Sequence, residues 1–139
     1  MGALPETDAE PEWREFMDAL VGARRAACLR GAGRVFWVAA ERRSLAAAVW
    51  SGYRFEPDVA EPPARRAAAW SGREGALVEV VRARLGLTGP ITARVLAEVL
   101  DVTRGEMESA LAAIEAEGGV LRGRFTSTAN ALTHGDIEW

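Results

Sequence analysis

The chain has 139 residues, of which 49% are hydrophobic, and it carries a formal net charge of −3. This length suits one ordinary domain or two small ones, and the apolar content is enough for a buried core. All 17 basic residues are arginine, and the absence of lysine excludes a P-loop and lysine-based catalysis. The acidic balance disfavours strong autonomous binding of nucleic acid, so any phosphate contact must come from locally clustered arginines.

The sequence carries no signal for export, membrane insertion or metal binding. It has no basic leader before an apolar run and no stretch of about 18 apolar residues, so we expect a cytoplasmic protein without membrane contact. Cys28 and His134 are the only cysteine and histidine, and they cannot form a disulfide or a metal cluster. We therefore expect no metal site, a buried Cys28 and a solvated His134 in a loop. The sequence also shows no nucleophile–base arrangement and no phosphate-binding glycine loop, so we expect no cofactor and no small-molecule substrate.

Residues 1–52 are predicted to form a helix followed by a β-hairpin. Thr7 and Glu10 have the spacing of a capping box, which predicts a helix that ends near Gly22. Four apolar residues recur at helical spacing and are expected to face the core: Trp13, Phe16, Met17 and Leu20. The stretch "RRAACLRGAGRVFWVAA" then predicts a hairpin with Arg30 and Arg34 near its tip. For Trp37 in this hairpin, core packing is favoured over a surface role in stacking on a base. A short helix is expected in "ERRSLAAAVW".

Residues 53–70 are predicted to be a Pro-rich linker, because prolines among charged residues cannot sustain a helix or a central strand. Residues 71–139 are predicted to contain three helices and a closing hairpin. Ser71 with Glu74 predicts the first helix, Thr92 caps the second, and Thr103 with Glu106 boxes the third. The expected buried residues of these helices are Leu77, Val80, Val81, Leu85, Leu96, Val99, Leu100, Met107, Ala110, Leu111 and Ile114.

The closing stretch "GGVLRGRFTSTANALTHGDIEW" begins with strand-like alternation and returns at Ile137–Trp139 after a long polar loop. Three helices, the last two joined by a three-residue turn, followed by such a hairpin constitute a winged helix-turn-helix, with the hairpin as its wing. The predicted fold is therefore α+β: a helix plus β-hairpin followed by a winged helix-turn-helix domain.

An internal repeat is a further possibility, since "EFMDALVGARRAACLRG" runs parallel to "EMESALAAIEAEGGVLRG" apart from one inserted residue. In one interpretation, residues 1–52 are then a partial winged helix. In the other, which we weigh equally, the two segments merely share the pattern of any helix followed by a hairpin.

The stretch "GPITARVLAEVLDVTRGEMESALAAIEAEGGVLRGRF" and the final "EW" resemble the region C-terminal to the motor domains in the large helicase-related (Lhr) family of superfamily 2 ATP-dependent DNA helicases. The segment "DALVGARRAACLRGAGRVFWVAAE" is similar to the helix and hairpin that come before this region in the family. The resemblance spans roughly residues 13–139. It implies a DNA-binding accessory region that works beside ATP-dependent helicase motor domains.

The chain departs from the family in two respects. The family pattern continues past the glutamate–tryptophan pair, so we expect an excised segment or a truncated gene. The chain also lacks the motor domains, which hydrolyse ATP in the family. We therefore expect that this chain is not an enzyme.

Five residues are candidate contacts to nucleic acid. Arg122 and Arg124 alternate with apolar residues, which places both on the open face of the wing strand, where phosphate contact and mere solubility are equal alternatives. Arg94 and Arg104 lie near helix starts, but four glutamates on the third helix would repel phosphate and disfavour base reading. Trp139, at the wing edge, can stack on a base, although core packing is favoured for it.

The leading functional hypothesis is a non-catalytic nucleic-acid-binding accessory module of an Lhr-like helicase that contacts the DNA backbone or a single strand. Its expected partners are helicase motor domains and single- or double-stranded DNA, bound weakly in isolation. The alternative is a winged helix for protein–protein interaction or dimerisation, which the acidic charge favours. An independent transcription regulator would need a basic recognition helix, which this chain lacks.

Overall fold

A computed structural model describes residues 3–8, 10–62, 72–125 and 137–139 of the chain. The described residues form an α+β structure with five α-helices and a four-stranded antiparallel sheet. The chain divides into two compact units, Met1–Ala76 and Leu77–Trp139, with the boundary inside a helix. Ser71, His134 and most of the loop of the predicted wing lie outside the described residues.

The first unit is built on the four-stranded sheet. Its strands are β1 (Ala3–Pro5), β2 (Ala26–Gly31), β3 (Arg34–Ala39) and β4 (Arg54–Glu56), in the spatial order β1-β3-β2-β4. Helix α1 (Pro11–Gly22) precedes β2, and helix α2 (Arg43–Val49) follows β3. The predicted helix, hairpin and short second helix are thereby confirmed.

A two-residue turn joins β2 to β3. Ala32 and Gly33 both have positive φ angles, of 48° and 74°. This is the backbone of the tight turns that match the twist of a hairpin. The turn places Cys28 opposite Trp37, and Leu4 of β1 lies on the other side of Trp37.

The two faces of the sheet carry separate parts of the core. On one face, Leu4, Cys28 and Trp37 pack with Met17 of α1, which confirms the predicted burial of Cys28 and Trp37. On the other strand face, Phe36 stacks on Trp50 with ring centroids 4.7 Å apart. Alternation of side chains along β3 is the reason why neighbouring residues serve different faces.

Two predictions about α1 are wrong. Pro11 occupies its first turn as expected, but the N-cap is Glu10, which makes no side-chain cap, and Thr7 lies in a short 3₁₀ helix at Glu6–Asp8. Trp13 and Phe16 were expected in the core, but they are 47% and 64% exposed. Helical periodicity identified an apolar face without revealing that only part of it is covered.

Part of the predicted linker is an ordered portion of the first unit. Strand β4 lies within residues 53–70 and pairs with β2 as an edge strand of the sheet. Val59 follows it and is only 2% exposed, packed with Ala27 and Ala40. The prolines thus exclude a central strand but permit this short edge strand.

The second unit contains α4 (Ala93–Leu100), α5 (Arg104–Ala116) and most of α3 (Gly72–Leu85). The side chain of Thr92 caps α4 by accepting a hydrogen bond from the backbone N–H of Val95. Thr103 and Glu106 form the predicted capping box of α5. Between the helices Asp101 adopts a left-handed conformation, with φ of 51°, which turns the chain in three residues.

The core of this unit is formed by most residues of the predicted helical stripes, but Leu85 and Val99, which were also expected to be buried, are only partly buried. The buried residues include Leu77, Val80, Val81, Leu96, Leu100, Met107, Ala110, Leu111 and Ile114. Leu100, Met107 and Leu111 are completely excluded from solvent. Truncating a leucine at such a position costs about 2–5 kcal/mol, so these stripes hold α4 and α5 together.

Three short extended segments lie beside these helices. The backbones of Ile91 and Trp139 exchange two hydrogen bonds, of 3.3 and 3.0 Å. The backbones of Gly123 and Glu138 exchange two more, both of 2.9 Å. Residues 137–139 therefore lie between residues 91–92 and residue 123, as an antiparallel return segment of the kind expected from the sequence.

Candidate functional site

The second unit has a cleft of about 430 Å³. It is lined by Thr92, Ala93, Arg94, Arg104, Glu108, Ala112, Arg122, Ile137 and Trp139, and we call it the arginine cleft. Three guanidinium groups and one indole thus share a single concave surface. A volume of this size lies within the range found for binding sites of small ligands or of one segment of a larger one.

Helix α5 supplies one wall of the arginine cleft through its helical repeat. Arg104, Glu108 and Ala112 are spaced by four residues and therefore lie along one side of the helix. Met107 and Leu111, each one residue before a cleft residue, face the core. The same local periodicity thus anchors the helix and presents its polar side to the cleft.

The other walls depend on contacts between distant parts of the chain. The backbone pairing of Ile91 with Trp139 holds the indole near the start of α4. The pairing of Gly123 with Glu138 brings Arg122 beside the same segment. The guanidinium of Arg122 lies over the Trp139 ring, 5.6 Å from its centroid, in a cation–π contact.

Each arginine of the cleft is ion-paired with a glutamate. Arg94 contacts Glu98 at 3.2 Å and Arg104 contacts Glu108 at 2.7 Å, both one helical turn apart. Arg122, which directly precedes Gly123, contacts Glu115 of α5 at 3.0 Å. The three arginine side chains are 44%, 63% and 57% exposed, so solvent screens these pairs and each contributes about 0.2–1 kcal/mol at most.

The positions of Arg94 and Arg104 are unfavourable for helix stability. Both lie in the first turn of a helix, where the positive end of the helix dipole repels a cation. The glutamate four residues later offsets part of this cost, although an arginine placed before its glutamate is the weaker of the two orientations. Residues that break a local rule in this way are candidates for binding roles.

Each of the four glutamates that were expected to repel phosphate has a partner in the structure. Glu108 and Glu115 hold arginines of the cleft, and Glu117 contacts Arg82 at 2.6 Å. Glu106 accepts hydrogen bonds from Thr103 in the capping box. These carboxylates already have partners, so their repulsion of an incoming anion is reduced.

The structure brings four of the five predicted contact residues together: Arg94, Arg104, Arg122 and Trp139 all line the arginine cleft. Arg124 is exposed, as predicted, but it is not among the lining residues. Trp139 is partly buried rather than a full core residue. The sequence did not lead us to predict Glu108 and Ala112 as cleft residues, although their spacing from Arg104 could have indicated it. Ile137 was also not predicted, and no local pattern identifies it.

Two titratable groups outside the cleft have shifted pKa values. Burial raises the pKa of the Cys28 thiol, while nearby Arg30 partly opposes the shift. The hydrogen bond with Glu117 raises the pKa of Arg82. Within the described ranges no cluster of three or more His, Cys, Asp or Glu side chains could hold a metal ion. No helix in the described part of the chain is long and apolar enough to cross a membrane.

Comparisons of the chain with protein-family models, with curated proteins and with solved structures found no match. The arrangement of the cleft is therefore the main basis for assigning a function.

Proposed function

We propose that the second unit is a winged helix-turn-helix whose arginine cleft contacts the sugar–phosphate backbone of DNA, and that it acts as a non-catalytic accessory module. The order of its elements supports the fold: a helix, a short extended segment, two helices joined by three residues, and a hairpin whose return segment lies between the other two extended segments. In this arrangement α5 corresponds to the recognition helix, and residues 121–125 and 137–139 correspond to the described parts of the wing.

The observation that carries the proposal is the convergence of Arg94, Arg104 and Arg122 with Trp139 on one cleft. The planar fork of a guanidinium matches two oxygens of a phosphate, and an indole ring offers a stacking surface for an unpaired base. Phosphates have to compete with the paired glutamates for the arginines. Binding by the isolated chain is therefore expected to be weak, with micromolar or poorer dissociation constants, and sensitive to salt.

The resemblance to the Lhr family supports a specific context for this module. We propose that it holds the DNA strand next to helicase motor domains supplied elsewhere, which are its main protein partners. ATP hydrolysis would then reside in those motor domains, because this chain has no lysine for a P-loop. A cytoplasmic location follows from the same context.

A second candidate function is protein–protein interaction or dimerisation through the same surface. The formal net charge of −3 and the glutamate held by each cleft arginine favour it. The apolar side chains of Ala112 and Ile137 in the cleft would suit a protein partner as well.

The test compares single alanine variants of Arg122 and Arg82 for binding to a 20-nucleotide single strand and a duplex. Arg82 is a matched control, because it is also an exposed, ion-paired arginine of the second unit but does not line the cleft. Arg122→Ala is expected to weaken binding and to reduce the log–log salt slope by about 1. Arg82→Ala should leave both quantities unchanged.

Arg124→Ala distinguishes the cleft from the whole wing. If only the cleft binds phosphate, this variant should retain the parent affinity and salt slope. If the exposed strand face binds, it should lose as much as Arg122→Ala. Circular dichroism should give parent-like melting for all three variants, since exposed ion pairs contribute at most about 1 kcal/mol. Unchanged DNA binding by Arg122→Ala, with weaker association with motor domains or with a second copy, would favour the protein-interaction alternative.

A further inference from the structure

Helices α1 and α5 end in the same way, and their ends therefore allow the residues of one helix to be aligned with those of the other. In α1, the N–H groups of Ala23, Arg24 and Arg25 donate to the carbonyls of Ala19, Val21 and Leu20. In α5, Glu117, Gly118 and Gly119 donate in the same pattern to Ala113, Glu115 and Ile114. Arg24 and Gly118 occupy the same left-handed position, with φ of 56° and 77°. Both ends are Schellman motifs.

The strands around the two helices also have the same order. In the first unit, β3 lies between β1, which precedes α1, and β2, which follows it. In the second unit, residues 137–139 lie between residues 91–92, which precede α5, and residue 123, which follows it. The possible internal repeat in the sequence therefore has a structural counterpart. The helix ends, however, align the two helices differently from the sequence comparison given above.

This register pairs each residue of the α1 stripe with a residue of the α5 stripe. Trp13, Phe16, Met17 and Leu20 correspond to Met107, Ala110, Leu111 and Ile114. Met107 and Ala110 are 0% and 4% exposed, whereas Trp13 and Phe16 are 47% and 64% exposed. Side chains at the same helical positions are thus buried in the second unit and exposed in the first.

Helix α4 has no counterpart between β1 and α1 of the first unit. It lies between residues 92 and 104 and packs closely against α5. In the first unit, only residues 6–10 connect β1 to α1, and Glu6–Asp8 form a short 3₁₀ helix. Five residues cannot supply an eight-residue helix, so α1 lacks an equivalent of α4 from its own connection.

We infer that the exposed face of α1 around Trp13 and Phe16 binds a basic amphipathic helix of a partner protein, in the place that α4 takes on α5. The apolar face of this partner would match α4, whose buried residues are Ala93, Leu96, Ala97 and Leu100. Its charge follows from α1, which exposes Glu12, Glu15 and Asp18 but only one arginine, Arg14. A second copy of α1 would bring like charges together, whereas lysine or arginine flanks would be attracted.

The experiment titrates the isotope-labelled full chain with a synthetic stapled peptide, followed by amide chemical shifts. The peptide carries Ala, Leu, Ala and Leu at the spacing of α4, with lysines beside this stripe. The staple is needed because a helix this short is marginal in water. The expected result is micromolar binding with shift changes along α1, and at least about tenfold weaker binding of a peptide with glutamates in place of the lysines.

Two variants test the surface itself. Phe16→Arg should weaken peptide binding at least about tenfold, because it places a charge in the centre of the apolar contact. Leu87→Arg is the matched control, since Leu87 is 63% exposed and Phe16 is 64% exposed. Both side chains are exposed, so both variants should melt like the parent.

Three outcomes would overturn the inference. The first is absence of peptide binding, or shift changes away from α1. The second is an equal loss of affinity in the Phe16 and Leu87 variants. The third is a concentration-dependent dimer of the parent, detected by sedimentation and lost in Phe16→Arg, which would make a second copy the occupant. None of these results depends on DNA binding by the arginine cleft, so the two proposals can fail separately.

Discussion

Removing the carboxylates that hold the cleft arginines should strengthen DNA binding. The change is the triple variant Glu98→Gln, Glu108→Gln and Glu115→Gln, which keeps the side-chain shapes but eliminates all three ion pairs. Phosphate then no longer has to displace these three carboxylates when it binds to the cleft. The formal net charge also rises from −3 to zero with three carboxylates removed.

The size of the effect follows from the exposure of the pairs. Each pair is screened by solvent and stabilises the unbound chain by about 0.2–1 kcal/mol. Breaking all three pairs in the parent chain therefore reduces the favourable free energy of DNA binding by about 0.6–3 kcal/mol. Removing this cost corresponds to an affinity gain of about threefold to about 150-fold at low salt. The lower half of this range is expected, because Arg94 and Arg104 precede their glutamates in the weaker orientation.

The assay is fluorescence anisotropy with a labelled single strand at several salt concentrations. The control is Glu56→Gln, Glu79→Gln and Glu117→Gln, which removes three glutamates that also pair with arginines but do not line or flank the cleft. Both triple variants change the net charge equally. If both triple variants gain affinity equally, the gain comes from the overall charge alone. The idea that the three glutamates compete with phosphate at the cleft would then be refuted.

Four further predictions concern stability and reactivity. Gly31→Ala should destabilise the first unit by about 1–3 kcal/mol in a denaturant titration, because the new Cβ would lie 2.5 Å from a ring atom of Tyr53. The control is Gly52→Ala, because a Cβ at that position has no atom within 4 Å. Thr103→Ala should cost about 1 kcal/mol through loss of the α5 cap, and a parent-like unfolding midpoint would contradict this. Cys28, at 8% exposure and with a raised pKa, should be alkylated slowly in the native chain and fast in urea. Because its folded pKa lies above the unfolded one, its contribution to stability should be lost as pH rises through the alkaline range.

The sequence was most informative where structure depends on neighbouring residues. The capping box of Thr103 and Glu106, the Thr92 cap and the buried stripe of α5 were all predicted and confirmed. A cap needs a hydrogen-bonding side chain at one position, and a stripe needs apolar residues every three or four positions. Both are therefore visible in the order of residues alone.

The failures occurred where pairing or coverage comes from elsewhere. Strand β4 is three residues long, too short for a detectable alternation, and it forms because β2 offers an open edge. Trp13 and Phe16 have helical spacing, but spacing cannot tell whether the chain supplies a second helix to cover them. The wrong prediction for Thr7 is a local exception: Thr7 lies in a 3₁₀ turn at Glu6–Asp8, and α1 begins later, with Glu10 as its N-cap.

The candidate site divides in the same way. The sequence by itself determined that Arg94 and Arg104 lie near helix starts and that Arg122 is exposed in the segment that follows α5. Only the tertiary structure decided that these arginines meet Trp139 in one cleft and that Glu115 holds Arg122. The reason is that the cleft depends on backbone hydrogen bonds between Ile91 and Trp139 and between Gly123 and Glu138, and no local pattern encodes such distant pairings.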